Sequence, residues 1–299
     1  MDVEVNTLYI SGGIIILSFL TMVLNTFVIF WSLGDKVSSE NQFSMILVKM
    51  VFDLCFAAAS IIYSVAVIFK ILDFNGLLHT LYYSGIGIQS LEAAMSILNL
   101  FVALDRLVAM RRPLQYGQIY SKRLRNLNIL LICLCFIVTF VVHSATKSSI
   151  YTTENVNNCY LFIPYVNQVT HDVIHLFTVG ILGFGMTITV VFLHDFHTYV
   201  AKRSGNQRTV YSKSTNTANR LVLYLMALEI VLIVIPSILE IVLERFFDID
   251  IAAFGPVIHP LFVIYITISS LLTIVPYRSR RKSIRTSVVR TVPSTSQCQ

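Results

Sequence analysis

Residues 91–116 read LEAAMSILNLFVALDRLVAMRRPLQY. Three of the polar residues in this stretch, Glu92, Asn99 and Arg106, stand each seven positions from the next. Seven residues are close to two helical turns, so the three drift only slightly round a helix and form one polar ladder. An apolar helix cannot turn that ladder to lipid at low cost, so the ladder faces other helices. The stretch then closes on an acid–arginine pair, Asp105-Arg106, and runs into Arg111, Arg112 and a Pro113-Leu114-x-Tyr116 turn. Arginine keeps its charge at any accessible pH, so at the end of a membrane helix it must meet something polar. Arg106 is read as a conformational switch or transducer contact ahead of a simple interfacial anchor.

Outward from this segment the chain keeps the same texture. Of its 299 residues 56% are hydrophobic and 13% charged, where soluble domains have roughly 45–50% and about 25%. The excess falls into seven blocks near 8–33, 43–71, 78–110, 127–147, 170–195, 218–245 and 255–277. Each is long enough to cross a bilayer, which takes roughly 17–25 apolar residues. The fold class expected is an all-α membrane protein, a seven-transmembrane helix bundle with a short basic interfacial helix after the seventh span. Residues 1–277 form the transmembrane domain and 278–299 a basic cytoplasmic tail, disordered in its Ser/Thr-rich part from 286. The first block is too long for a cleavable leader and has no basic residue before it.

Charge sets the orientation. Alternate connections carry Lys36, then Arg111, Arg112, Lys122, Arg123 and Arg125, then Lys202, Arg203, Arg208, Lys213 and Arg220, and six basic residues follow position 277. That places 17 of the 22 Lys and Arg residues on one side, with only Lys70, Lys147 and Arg245 on the other. The basic side is cytoplasmic, so the N-terminus is extracellular and the C-terminus intracellular, in the plasma membrane. The formal net charge of +6 is accordingly a topology signal that attracts anionic lipids and makes no case for nucleic acid.

Among the five cysteines, Cys55, Cys133 and Cys135 lie in spans as small apolar fillers. Cys159 falls in an outer loop and Cys298 near the end is a free tail thiol. His171 and His175 are an i, i+4 pair, but without a third ligand at a matching position a polar rim to a cavity is favoured over a metal site. Gly180, Gly183 and Gly185 allow close helix approach. The sixth block contains Glu229, Pro236 and Glu240; the two acids are eleven apart and so fall on nearly one face, while Pro236 predicts a kink. Pro276 predicts the end of the seventh helix, and the basic run YRSRRKSIR that follows fits an interfacial helix. No nucleophile–base pair, metal cluster or phosphate loop is present, so the chain reads as no enzyme and without a cofactor.

These features resemble the rhodopsin-like G-protein-coupled receptors, on the strength of Asp105-Arg106, Pro113-Leu114-x-Tyr116, Asn25, Asp53 and Pro236. The resemblance implies a polar network of Asn25, Asp53 and Asn99, in which the aspartate of that family holds a sodium ion. For Asp53 an ion pair with Lys49, one turn away, is the plainer alternative. It also implies coupling and switch roles for Asp105, Arg106, Pro113, Tyr116 and Pro236. Departures are several. Leu107 follows Arg106 where the family has an aromatic residue, and Leu81 stands where a disulfide cysteine is usual. Val234 replaces the tryptophan before Pro236, and the seventh-helix Asn-Pro-x-x-Tyr sequence is missing. The inner end of the sixth block, STNTANRLV at 214–222, has no acid to lock Arg106. With a Pro276-Tyr277-Arg278 ending and no Asn-x-Ser/Thr sequon, the chain looks like the divergent nematode serpentine chemoreceptors of the Srbc or Srsx class.

That resemblance implies a chemosensory receptor that takes a small-molecule odorant or other chemical cue from outside and activates a heterotrimeric G protein. Ligand would sit between helices three, five, six and seven, against Gln89, Glu92, Glu240, His259 and Tyr265. For Glu92 two readings stay open, a ligand contact at the pocket floor and a protonated carboxyl hydrogen-bonded to another helix. A different class of function, a transporter or ligand-gated channel, would use Asp53, Glu92 and Glu229 as a cation or proton path. No internal repeat or pair of broken helices supports it.

Overall fold

A computed structural model describes residues 3–34, 44–72, 78–112, 115–146, 166–203, 210–247 and 258–290. Pro113, Leu114, Cys159 and Cys298 lie outside the described residues. Within them the regular elements are helices, the only open-ended way for a chain in hydrocarbon to satisfy its backbone N–H and C=O groups. They are α1 (Val3–Gly34), α2 (Ser44–Ile71), α3 (Leu78–Arg111), α4 (Ser121–Ala145), α5 (Gln168–Arg203), α6 and α7 (Ile258–Arg290). Helix α6 is α-helical over Val210–Glu229, π-helical over Ile230–Val234 and α-helical again over Ile235–Phe247. A second π-helical turn, Tyr116–Tyr120, leads into α4.

Helices α1 to α6 each contain a span long and apolar enough to cross a membrane, and α7 adds a shorter apolar stretch over Ile258–Ile274. The helices pack in chain order as a ring, α7 closing against α1, and α3 is the hub that touches α2, α4, α5 and α6. Its sequence explains why. Eighteen α3 residues are buried, round the whole circumference, whereas α4 buries five on one face. Lipid takes the other faces: Ile16, Phe30, Leu130 and Leu176 are among many large apolar side chains left exposed. Such a belt is tolerable only in hydrocarbon.

Helix α1 is built the opposite way from a soluble helix. Its buried positions are Thr7, Ser11, Ile14, Ser18, Thr21, Asn25, Val28 and Ser32, alternately three and four apart. Small hydroxyl residues therefore face the bundle and the bulky apolar ones face outward, which lets helices approach closely in a medium where apolar contact gives no preference for protein over lipid. Thr21 Oγ1 meets Thr267 Oγ1 of α7 at 2.8 Å and closes the ring.

Two expectations change. Helix α7 does not stop at Pro276 but continues to Arg290, so the basic segment 278–290 prolongs α7 instead of starting a separate helix, and 286–290 are helical. A proline removes one N–H and crowds the preceding turn, yet helices pass through it where the backbone on either side stays helical. Of the three α5 glycines only Gly185 stands against a neighbour, Leu100 of α3 at 4.0 Å from where a Cβ would lie; Gly180 and Gly183 face open space. Leu81, at the position of the absent cysteine, is fully buried in the apolar core.

Candidate ligand and coupling sites

Three polar centres are strung along α3, one for each rung of its ladder. At the C-terminal rung, Arg106 is 1% exposed. Its Nη2 and Nε donate to Asp105 Oδ2 at 2.6 and 3.1 Å. The Tyr116 hydroxyl donates to the other carboxylate oxygen at 2.7 Å, and Arg106 Nη2 stands 3.5 Å from that hydroxyl. Tyr116 opens the π-helical turn that leads into α4. Burial pushes the Tyr116 phenol up; Arg106 pulls the other way and Asp105 adds to the rise. The phenol thus stays protonated and remains a donor. The charge of Arg106 is met by its own neighbour and by the following turn, an arrangement that needs no acid from α6. Nearby, Arg111 Nε donates to Asp195 of α5 at 2.6 Å, and Arg112 to the Tyr120 hydroxyl at 2.9 Å. Asp195 carries no motif, and nothing in the sequence singled it out.

The middle rung is Asn99, whose amide donates to Glu229 Oε1 of α6 at 2.8 Å. A narrow cavity with about 10 Å³ of free space opens beside this pair, between Ser96, Leu100, Gly185 and Val234. That is room for about one water molecule. Deeper among α2 and α7, Lys49 Nζ donates to both oxygens of Asp53 at 2.9 and 2.8 Å. The same ammonium lies 4.9 Å from the ring centroid of Tyr265. Both members of the ion pair are about 2% exposed. The pair and the inward placement of Asp53 are therefore both present, and Lys49 occupies both carboxylate oxygens. Asn25 is completely buried, but neither of its amide atoms has a hydrogen-bond partner. Asn25 makes no hydrogen bond to Asp53, whose carboxylate accepts from Lys49.

At the N-terminal rung a polar arc crosses four helices. Glu92 of α3 stands 3.6 Å from His259 Nδ1 of α7. His175 of α5 stands 3.8 Å from Glu240 of α6 and lies within the electrostatic field of Glu92. One turn from Glu92, Gln89 bonds His171 of α5 at 2.6 Å, and the His171 and His175 rings stack at 6.2 Å. His259 also packs edge-on to Tyr63 and tilted against Phe56, at centroid distances of 5.8 and 5.7 Å.

Of the five residues expected to contact ligand, this arc gathers Gln89, Glu92, Glu240 and His259. Tyr265 is not among them; it is 1% exposed and belongs beside Lys49, two helical turns further along α7 than His259. The acids of α6 also part company. Glu229 addresses α3 and Glu240 addresses α5, so they do not serve one face. The π-helical turn between them widens the winding and displaces the register that a uniform helix would keep. Pro236 follows that turn directly: lacking an N–H, it frees a carbonyl one turn back, where the π-helical winding sits.

The family model for the serpentine type 7TM GPCR chemoreceptor Srbc matches residues 3–278. No curated protein matches the chain. The match takes in every helix of the bundle, the basic rim after α3 and the whole polar ladder. The chain is a multi-pass membrane protein, and it belongs to the serpentine type 7TM GPCR chemoreceptor Srbc family.

Proposed function

We propose that this chemoreceptor binds a small molecule beside Glu92, near the middle of α3, and signals to a heterotrimeric G protein from the Arg106 end. The carrying observation is the placement of two polar centres along one hub helix, Glu92 near its middle and Arg106 near its C-terminal end, with Asn99 and Glu229 between them. A ligand that binds one arrangement of α3, α5, α6 and α7 more tightly than another shifts the population toward it. Helix α6 is the element suited to move, since its π-helical turn and Pro236 interrupt its regular backbone at the level of the cavity. In this reading Gln89, Glu92, Glu240 and His259 contact ligand, Asp105, Arg106, Pro113 and Tyr116 form the coupling end, and Asp53, Asn99 and Tyr265 lie in the network between. The N-terminus is outside and the tail past residue 277 is the cytoplasmic unit, in contact with anionic lipid.

The experiment is a second-messenger screen of volatile and water-soluble compounds in cells expressing the full chain, with membrane current recorded in parallel. The reading expects second-messenger responses that vanish when the G protein is blocked. A ligand-evoked current that survives the blockade would support the channel or transporter reading through Asp53, Glu92 and Glu229.

A further inference from the structure

The connection that follows Arg106 is basic, with no acid of its own to offset the charge. From Leu107 to Thr153 the sequence holds Arg111, Arg112, Lys122, Arg123, Arg125 and Lys147 and no Asp or Glu. Arg111 is paired with Asp195 of α5 at 2.6 Å. Arg112 instead donates to the Tyr120 hydroxyl at 2.9 Å, with its guanidinium 5.9 Å from that ring's centroid. Tyrosine is a neutral acceptor, so the charge of Arg112 is positioned there and not cancelled. Tyr120 and Arg123 are i, i+3 and so are neighbours on the helix surface, with Lys122 adjacent in the chain. Lys122 and Arg123 are exposed, and among the described residues neither has a hydrogen-bond or ion-pair partner. Three cations therefore gather at one place on the rim. The charge is carried by side chains, since the Ser121 N–H at the start of α4 is taken by the Tyr116 carbonyl.

These cations head an apolar stripe. The exposed residues of α4 come in pairs, 122 and 123, 126 and 127, 129 and 130, 133 and 134, 137 and 138, 141 and 142. Steps of three or four residues keep them on one face, while Asn128, Ile132, Thr139 and His143 are buried on the other. From Leu127 to Val142 the stripe is apolar and about 22 Å long, more than the depth of one leaflet of a hydrocarbon core about 30 Å thick. We propose that Arg112, Lys122 and Arg123 bind the headgroup of a phosphoinositide, a phospholipid with phosphomonoesters on its ring, whose acyl chain lies along Leu127, Leu130 and Leu134. A phosphomonoester brings about 1.5 to 2 negative charges and three strong acceptor oxygens, and guanidinium groups match phosphate geometry. A phosphatidylserine headgroup would bring its own ammonium against the three cations. The basic connections as a whole draw anionic lipid through their field; this site adds fixed partners at one helix. With those connections cytoplasmic, as the functional reading has them, the lipid belongs to the inner leaflet.

The test uses the full-length chain purified in detergent and a fluorescent short-chain phosphatidylinositol bisphosphate, with binding read by polarisation. Unlabelled short-chain phosphatidylserine and soluble inositol trisphosphate serve as competitors. The labelled lipid is expected to bind, and both competitors to displace it only at far higher concentration. Lys122→Gln with Arg123→Gln is expected to weaken binding roughly 30-fold, at the contribution typical of two basic residues near a membrane surface. Lys202→Gln with Arg203→Gln removes the same charge from α5 and is expected to leave the affinity within about threefold, because charges more than a Debye length away are screened. Should the α4 pair not fold, Arg112→Gln is the second variant, with a loss of roughly fivefold. The inference is overturned if the lipid does not bind, or if phosphatidylserine competes as well, which would make charge alone sufficient. Equal competition by inositol trisphosphate overturns it too, since the stripe would then contribute nothing. So does an α5 pair that weakens binding as much as the α4 variant, or α4 and Arg112 variants that bind unchanged. No cue or G protein enters this assay, so its failure leaves the receptor reading standing, and a receptor that never signals leaves the lipid site standing.

Discussion

Arg106 is satisfied locally, and this decides what its loss does. Removing the guanidinium leaves Asp105, fully buried, with only the Tyr116 hydroxyl among the described residues. An uncompensated buried charge costs roughly 3–5 kcal/mol, so Arg106→Ala alone mixes a folding defect with a signalling defect. Adding Asp105→Asn removes the stranded charge. The double variant is expected to return to the cell surface at a level near wild type and to bind ligand, yet to give no second-messenger response. Recovery of signalling in the double variant would make Arg106 an anchor. Tyr116→Phe deletes a donor to a charged acceptor, worth about 1.5–3 kcal/mol. If the triad holds the resting arrangement, basal signalling per receptor at the surface should rise roughly tenfold or more; an unchanged basal level would detach Tyr116 from the switch. Part of this site was plain in the residues, since the Asp105-Arg106 pair and the tyrosine ten positions on announce themselves. What the residues did not carry was the bond from the Tyr116 hydroxyl to Asp105, which depends on the path of the backbone between them and has no motif.

At the scale of the helix, α2 and α6 show where local reading succeeds and where it stops. Lys49 and Asp53 are i, i+4 on α2, and that spacing already allowed the pair. Both oxygens of Asp53 accept from Lys49, while Asn25 makes no hydrogen bond. Lys49→Met should destabilise the receptor by roughly 3–5 kcal/mol, because Asp53 is then buried and unpaired, whereas Lys49→Met with Asp53→Leu should come out close to wild type or better. The melting temperature of the detergent-purified receptor reads this difference. Equal losses in the two variants would mean that packing, not charge, is the stake. Helix α6 is the contrary case. Spacing alone put Glu229 and Glu240 on one face, and a single turn of wider winding sends them to different helices. In α1 the hydropathy signal has its sign reversed: the inward stripe is serine and threonine, so a search for an apolar face finds the lipid side, and only Asn25 stood out.

For the molecule as a whole, length and hydropathy were enough to place the seven helices, because the bilayer imposes one length scale on every span and charges mark its edges. The order of packing was less accessible, but the hub position of α3 was foreshadowed by its ladder: a helix with polar rungs at three depths needs neighbours at three depths, and His259, Glu229 and Tyr116 supply them from different parts of the chain. The same ladder makes orientation consequential. If the basic connections are cytoplasmic, Arg106 faces the G protein and the Glu92 arc faces the outside, where a cue arrives. Reverse the molecule and both assignments fail together. With 17 of 22 basic residues gathered on the Arg106 side, an epitope tag placed before Met1 should be stained on intact cells, and one after Gln299 only after permeabilisation. Staining in the opposite pattern would put the acidic arc in the cytosol, and would leave the inverted, channel-like arrangement as the one consistent with Glu92, Glu229 and Asp53.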